Sequence, residues 1–207
     1  YYASAATRVL EAVGIPYTGN TSAAHDLTND KTIAKKVIRA ANLTTPDWVE
    51  FWSSADENNE PELENQSRWI IKPAREHSSL GMNDDAIVTH TEENTVYVQV
   101  DHCARGERHI LFAERYVEGR EFNLSLLASP SGPQVLPPAE IDFSKFPADK
   151  PKIVNYAAKW DEKTFEFQNT PRKFDFPASD QPLLTKLSRL AVRCWEVFAL
   201  RGYIRVD

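Results

Sequence analysis

The composition of this 207-residue chain excludes several classes of protein. Hydrophobic residues make up 42% and charged residues 26%, with a formal net charge of -6, as in a globular protein of one or two domains. The sequence has no basic stripe of the kind that binds nucleic acid. No apolar run approaches the roughly 18 residues that a membrane span needs. Cys103 and Cys194 form no CxxC pair and the five histidines are not spaced as metal ligands. A cytoplasmic protein without a Cys/His metal site is therefore expected.

Two stretches near the N-terminus have helical spacing. Apolar residues recur every three or four positions over residues 4–13, which predicts one helix. A second helix is predicted after Asn29 or Asp30, because either side chain can cap it. Lys31 lies in its first turn, where a cation opposes the helix dipole unless an anion is nearby. A solvated lysine is the simpler alternative.

The segment 69–81 combines an apolar strand with a polar turn. Lys72 comes at the end of the apolar run, and Ser78 and Ser79 follow in the turn. A buried lysine is costly unless it meets an anion, and hydroxyls with free backbone N–H groups form a cradle for phosphate oxygens. The pattern therefore indicates a strand that delivers Lys72 to a nucleotide phosphate. The alternative is an edge strand whose lysine discourages aggregation.

Alternating apolar residues over 86–100 predict two further strands of an antiparallel sheet. The first contains residues 87–88, and the second contains Val96, Val98 and Val100. A polar turn separates them, as in a hairpin.

Two apolar strands flank a short turn at Gly119. Glu114 interrupts the first strand, and Glu121 opens the second. Carboxylates on either side of a hinge could accept hydrogen bonds from an adenine amino group and from ribose hydroxyls. The alternative for Glu114 is an ion pair with Lys72.

The C-terminal part begins with the strongest helical pattern in the chain, over residues 183–200. Cys194 lies on its apolar face and is interpreted as a packing residue. The chain then stops at Asp207, inside a segment that alternates like a strand. It also begins at Tyr1 without an initiator methionine, so we expect an excerpt from a longer protein.

Five motifs in this order resemble those of the ATP-grasp ligases, and within them the D-alanine–D-alanine ligase family. The resemblance covers nearly the whole chain. The motifs are Asn29-Asp30-Lys31, Ile71-Lys72-Pro73-Ala74-Arg75-Glu76 with Ser78-Ser79-Leu80-Gly81, Ala113-Glu114-Arg115-Tyr116-Val117 with Gly119-Arg120-Glu121-Phe122, Tyr156-Ala157-Ala158-Lys159-Trp160, and Gly202-Tyr203-Ile204-Arg205-Val206-Asp207.

The resemblance implies an α+β fold of two lobes whose antiparallel sheets sandwich ATP. Residues 1–30 would be the tail of an N-terminal α/β substrate domain, 31–118 the small nucleotide-binding lobe, and 119–207 the incomplete large lobe. The implied reaction joins two D-alanines through an acyl phosphate, with ATP and Mg²⁺, to supply peptidoglycan precursors. Related ligases are commonly dimers, so a homodimer is also implied.

The resemblance gives phosphate-binding roles to residues of two segments. Lys31 and Lys72 would contact ATP phosphates. Glu76, Ser78 and Ser79 would lie in a loop that closes over the phosphates and the substrate, with Ser78 among the catalytic residues.

The remaining nucleotide contacts would come from the hinge. Glu114 would accept the adenine amino group, and Tyr116 and Val117 would line the base pocket. Glu121 would bind the ribose hydroxyls.

Three further residues would serve catalysis. Lys159 would reach the transferred phosphoryl group from a mobile loop. Arg205 would stabilise negative charge on the reacting carboxyl carbon, and Asp207 would be a Mg²⁺ ligand.

Two positions depart from the family pattern. His77 stands where glycine is usual, and Trp160 stands where tyrosine is usual. The phenol of that tyrosine helps to organise the second-substrate site, and an indole cannot accept a hydrogen bond. Two alternatives therefore stay open. One is a ligase of the same superfamily with a different carboxylate or acceptor, such as another amino acid or D-lactate. The other is a non-catalytic nucleotide-binding module.

Overall fold

The chain folds into helices and strands that alternate along the sequence. A computed structural model describes residues 2–50, 62–77, 79, 82–104 and 110–207, with the backbone alone for 101–104. The helices are α1 (Tyr2–Ala12), α2 (Ser22–Thr28), α3 (Lys31–Ala40), α4 (Val96–Ala104), α5 (Tyr156–Trp160), α6 (Phe165–Gln168) and α7 (Gln181–Val197). The strands are β1 (Trp48–Glu50), β2 (Arg68–Pro73), β3 (Ile87–Thr89), β4 (Leu111–Arg115), β5 (Glu121–Ser129), β6 (Gly132–Val135), β7 (Ala139–Ile141), β8 (Arg172–Lys173) and β9 (Tyr203–Val206).

The chain divides into two compact units, each built from separated stretches. The first unit comprises Tyr1–Thr45, Arg120–Asp142 and Pro171–Asp207, and the second comprises Pro46–Gly119 and Phe143–Thr170. Helix α3 thus belongs to the first unit, and α5 and α6 belong to the second. These bounds differ from those predicted for the lobes, and the assignment of the predicted segments to parts of an enzyme stays a prediction.

Helices α1 and α3 form where the sequence predicts them, whereas α2 was not predicted. Asp30 is the N-cap of α3, and its Oδ1 accepts hydrogen bonds from the backbone N–H of Thr32 at 3.0 Å and of Ile33 at 3.3 Å. These bonds satisfy N–H groups that have no partner within the helix. Lys31 is therefore the first residue of α3, as predicted. Among the described helices, none is both long enough and apolar enough to cross a membrane.

The sheet of the second unit has the strand order β1-β4-β2-β3, and its pairings are antiparallel. Strand β2 pairs with β4 on one side and with β3 on the other, so the edge-strand alternative for the Lys72 segment is wrong. Trp69 and Ile71 of β2 are buried against Ala113 of β4 on one face. Because side chains alternate along a strand, Lys72 lies on the opposite face.

One predicted strand of this unit is a helix instead. Val96, Val98 and Val100 belong to α4, whose first turn is capped by Thr95: its Oγ1 accepts from the backbone N–H of Val98 at 3.3 Å. Val96 and Val100 are four residues apart, so both face the core, where they are 0% and 2% exposed. Val98 is 60% exposed. A spacing of four residues places two side chains on one face of a helix as well as on one face of a strand. The cap at Thr95 favours the helix.

The sheet of the first unit is built around β5, which pairs antiparallel with β6, β7 and β9. Phe122, Leu124 and Leu126 of β5 pack against Leu184 and Ala191 of α7. The predicted C-terminal helix is confirmed, and Cys194 is buried on it. Antiparallel sheets with helices packed on them confirm the predicted α+β class.

Candidate active site

Predicted site residues of the second unit meet on the sheet face opposite the core. Lys72 Nζ lies 2.6 Å from Glu114 Oε1, across the adjacent strands β2 and β4. The side chains of Lys72 and Glu114 are 23% and 16% exposed, respectively. Ile70 and Tyr116 pack in a second apolar cluster on this face, so the pair lies beside apolar neighbours. The ion pair anticipated as the alternative role of Glu114 is therefore confirmed as a contact.

This ion pair explains how two charged residues are tolerated within the strands. A half-buried ammonium or carboxylate loses part of its hydration, and each group offsets that loss for the other. A phosphate approaching Lys72 would have to share the ammonium with Glu114 or displace it.

The polar turn after β2 is described in part. Ser78 lies outside the described residues, Glu76 is half-buried and His77 is exposed. Ser79 has a positive φ of 58°, and its hydroxyl donates to the carbonyl of Val154 at 2.8 Å. The turn is thus attached to the segment that leads into α5.

Helix α5 carries Lys159 and Trp160, and its start is fixed by Asn155. The Oδ1 of Asn155 accepts from the backbone N–H of Ala158 at 2.9 Å, as an N-cap does. Lys159 is half-buried, whereas Trp160 is 59% exposed beside it. The exposed indole therefore neighbours the predicted phosphoryl-binding lysine along the chain.

Predicted site residues of the first unit share one face of its sheet. Phe122 and Leu124 face the core, so Glu121 and Asn123 point to the other side of β5. Arg205 Nε and Nη2 donate to the two oxygens of Asp207 at 2.6 and 2.7 Å. The hydrogen bond to Asp207 raises the pKa of Arg205. The guanidinium therefore remains charged at any physiological pH.

Asn123 is a member of this face that the sequence motifs did not single out. Its Nδ2 donates to Asp207 Oδ1 at 3.0 Å, and the residue is only 7% exposed. The period of two residues from Glu121 was the signal that could have found it. Asn123 and Arg205 together orient the Asp207 carboxylate.

Asp207 offers the kind of oxygen ligand that Mg²⁺ prefers. Within the described ranges, no group of three or more His, Cys, Asp or Glu residues could hold a metal ion. The described residues thus fit one ligand of a magnesium site and do not form a complete one.

The predicted site residues fall into separate groups. Lys72, Glu114, Tyr116, Ser79 and Lys159 lie in the second unit. The first unit holds Glu121, Arg205 and Asp207, together with Lys31 at the start of α3. Val117 is 65% exposed in the connection between β4 and β5.

Comparisons with known proteins agree on one family. A family model described as "D-ala D-ala ligase C-terminus" matches residues 37–207. A protein of Aquifex aeolicus named D-alanine--D-alanine ligase is 28% identical over 96% of this chain and 60% of its own length. A protein of the same name from Albidiferax ferrireducens is also 28% identical, over 96% of this chain and 52% of its own. The chain therefore spans half to three fifths of these relatives.

Solved structures give the same fold. A D-alanine--D-alanine ligase from Bacillus anthracis, solved in complex with ATP, superimposes with a TM-score of 0.68 at 22% identity, covering 98% of this chain and 57% of its own. The corresponding enzyme from Coxiella burnetii has a TM-score of 0.63 at 16% identity, covering 99% of this chain and 50% of its own.

Proposed function

Since the chain belongs to the family described as the C-terminal part of D-alanine–D-alanine ligases, we propose that the whole protein joins two D-alanines at the expense of ATP. The observation that carries the proposal is the position of the motif residues. The motif residues from Lys72 to Asp207 fall within the matched range 37–207. Of those that the structure describes, Lys72 and Glu114 lie on the adjacent strands β2 and β4, and Arg205 lies on β9 beside β5. A related bacterial enzyme was solved with ATP, which supports ATP as the nucleotide.

In this proposal the cations of the chain act on the charges that develop during phosphoryl transfer. Transfer from ATP to a carboxylate brings anions together, so the site must neutralise and align them. Lys31, Lys72 and Lys159 would contact phosphate oxygens. Arg205 would stabilise the negative charge that develops on the carbonyl oxygen when the acceptor amine attacks the acyl carbon.

The nucleotide would be recognised by carboxylates and by an apolar strand. Glu114 would accept from the adenine amino group and Glu121 from the ribose hydroxyls, because ionised carboxylates are strong acceptors. Tyr116 and Val117 would line the base. Binding would change the partners of the Lys72–Glu114 pair, because the two groups would then contact the phosphates and the adenine.

Magnesium would be held in part by Asp207. The ion would supply positive charge next to the phosphate oxygens. Arg205 and Asn123 hold the two carboxylate oxygens of Asp207 from one side. They would thereby fix the carboxylate's direction before the ion binds.

The proposal is tested with the full-length protein, Mg-ATP and a panel of D- and L-amino acids plus D-lactate. We expect ADP release to depend on D-alanine and to be lost in Lys72→Ala. Lys186→Ala removes an exposed lysine of α7 and serves as the matched control. Nucleotide binding without turnover on any substrate would favour a non-catalytic module and contradict the roles of Lys159 and Arg205.

The rival proposal is a ligase of the same superfamily with another acceptor. It is favoured by Trp160, whose exposed indole cannot accept the hydrogen bonds that a phenol accepts. Turnover with a different amino acid or with D-lactate, and none with D-alanine, would select it. Trp160→Tyr should then shift the preference toward D-alanine, while Phe167→Tyr, at an exposed aromatic of α6, should leave it unchanged.

The predicted homodimer and the cytoplasmic location are proposals of the same kind. Light scattering on the purified protein gives the mass of the assembly. Fractionation of the source cells gives its location.

A further inference from the structure

Four polar residues of the second unit form a connected group that we call the Lys150 cluster: Asp84, Lys150, Asn155 and Glu166. Lys150 Nζ lies 2.6 Å from Glu166 Oε1 and also pairs with Asp84 Oδ2. Asn155 Nδ2 donates to the other oxygen of Asp84 at 2.9 Å. Three stretches of chain that are distant in sequence thus meet at one ammonium group.

The cluster is shielded from water at Lys150, Glu166 and Asn155, whereas the side chain of Asp84 is 40% exposed. The side chains of Lys150 and Glu166 are each 18% exposed, and Asn155 is 4% exposed. Burial lowers the pKa of Lys150, but its hydrogen bonds to Asp84 and Glu166 outweigh burial and raise that pKa overall. The hydrogen bond from Lys150 lowers the pKa of Glu166. Both groups are therefore charged at neutral pH, and removing one leaves the other unpaired.

The cluster joins two segments that carry predicted site residues. One is the turn from Ser79 to Asp84, which also contacts the segment before α5 through Ser79 and through the carbonyl of Met82, the acceptor of the Tyr156 N–H at 3.0 Å. The other is α5, which carries Lys159. A helix of five residues is not stable by itself, so its position depends on its cap and its tertiary contacts.

Asn155 transmits the contact from one segment to the other. Its Nδ2 donates to Asp84, while its Oδ1 caps α5 through the N–H of Ala158. The amide group is therefore oriented from both ends. Lys150 in turn holds Asp84 in the position that orients Asn155.

We propose that Lys150 is a positioning residue that acts through Asp84 and Asn155 to hold the helix carrying Lys159 against the Ser79 turn. This inference rests on the proposed function, in which both segments enclose the phosphoryl group. With the segments held together, the acceptor amine attacks the acyl phosphate, an amide bond forms, and phosphate leaves. When they separate, water attacks the same acyl carbon, the bond to the phosphate oxygen breaks, and free carboxylate and phosphate result. ADP is then released without product.

The test uses the full-length enzyme with Lys150→Met, Lys150→Arg and Asp84→Asn, and Lys152→Met as the control at an exposed lysine two residues away. ADP and dipeptide are measured in the same reaction. We expect Lys150→Met to lower the kcat of ligation by about tenfold or more, because a small displacement of catalytic groups has effects of this size. ADP released per dipeptide should rise above that of the wild type. Lys150→Arg should restore most of the coupling, and Lys152→Met should match the wild type.

Hydrogen exchange gives a second readout that needs no activity. We expect faster exchange of the α5 amides in Lys150→Met and Asp84→Asn than in Lys152→Met. If Lys150→Met does not fold, Asp84→Asn provides the test, because it removes the ion pair between Asp84 and Lys150 and keeps a side chain of the same size. Unchanged exchange in α5, or lower kcat with an unchanged ADP-to-dipeptide ratio, would overturn the inference. A wild type without turnover refutes the proposed function instead, and the exchange experiment then still decides the positioning role.

Discussion

Lys72 and Glu114 face each other across two adjacent internal strands, with Nζ and Oε1 2.6 Å apart. The pair occupies the face of the sheet that is not covered by the main apolar cluster. Lys72 was predicted to contact the phosphates of a nucleotide, and Glu114 was predicted to contact its adenine. In the structure these two residues pair with each other. Under the proposed function, both residues would have to change partners when nucleotide binds.

Glu114→Gln should lower the free energy of unfolding by about 1 kcal/mol, because it leaves a half-buried ammonium without its anion. The free energy is measured by urea denaturation of the protein. Glu118→Gln is the matched control, since Glu118 pairs with Arg68 but its side chain is 73% exposed. The control should change the free energy by less than about 0.5 kcal/mol. Equal effects of the two substitutions would contradict the structural importance of the inner pair.

Gly202→Ala should be more destabilising than Gly14→Ala. Both glycines have a left-handed φ, +72° and +70°, so alanine pays about 1 kcal/mol of backbone strain at either site. A Cβ at Gly202 would also lie 2.9 Å from the backbone of Gly19, whereas nothing lies within 4 Å of a Cβ at Gly14. Overpacking adds about 1–3 kcal/mol at Gly202. Thermal unfolding of the two variants measures the difference, and similar losses would refute the close approach.

Arg120→Met should lower the free energy of unfolding by about 2 kcal/mol, since it removes a cation from a buried carboxylate. Arg120 donates to both oxygens of Glu140 at 2.7 Å, and the Glu140 side chain is 8% exposed. Its hydrogen bond to Arg120 lowers the pKa of Glu140, so the loss of Arg120 should raise that pKa and leave Lys173 Nζ, 3.2 Å from Glu140 Oε2, as a cation that still pairs with the carboxylate.

Arg193→Met is the control for this substitution. Arg193 pairs with Glu196 within α7, and both side chains are about half exposed, at 54% and 50%. Such a pair contributes less than about 1 kcal/mol. If both arginine variants unfold at the same denaturant concentration, the buried pair is not stabilising.

Glu11 should make the stability of the protein depend on acid pH. Hydrogen bonds from the Ser22 hydroxyl and from Tyr17 lower the pKa of Glu11 to about 2. Because this value is below that of the unfolded chain, the contribution is complete above about pH 5 and is lost as the pH falls toward 2. The melting temperatures of the wild type and Glu11→Gln should therefore differ at pH 6 and converge near pH 2. Glu92→Gln, at an exposed acid before α4, should show no such convergence.

Local sequence patterns predicted the elements that local forces determine. Asp30 was one of the two predicted caps of α3, and the apolar run before Lys72 predicted a strand with a charged end, because caps and strands depend on neighbours within a few residues. The error at Val96 and Val100 arose because their spacing satisfies both periods. The cap at Thr95 was the overlooked signal.

Apart from the Lys72–Glu114 pair, which was anticipated as an alternative, these patterns did not predict contacts between distant segments. Lys150 and Asp84 are 66 positions apart in sequence, and neither lies in a motif or a periodic element. The pairing of Arg120 with Asp180, 60 positions away, was missed for the same reason. Each of these two contacts depends on the packing of the whole unit in which it lies.

The close approach of Gly19 and Gly202 has a consequence for the nascent chain. Arg201 also donates to Gly19 O and Asn20 Oδ1, at 3.1 and 2.9 Å, so the N-terminal segment is completed by residues that are translated late. At roughly 5–20 residues per second, on the order of ten seconds or more passes on the ribosome before these contacts form. The second unit lies almost wholly between the two glycines in sequence. It can therefore fold before the first unit is complete, because the contacts of Gly19 and Asn20 form only after translation has passed Arg201 and Gly202.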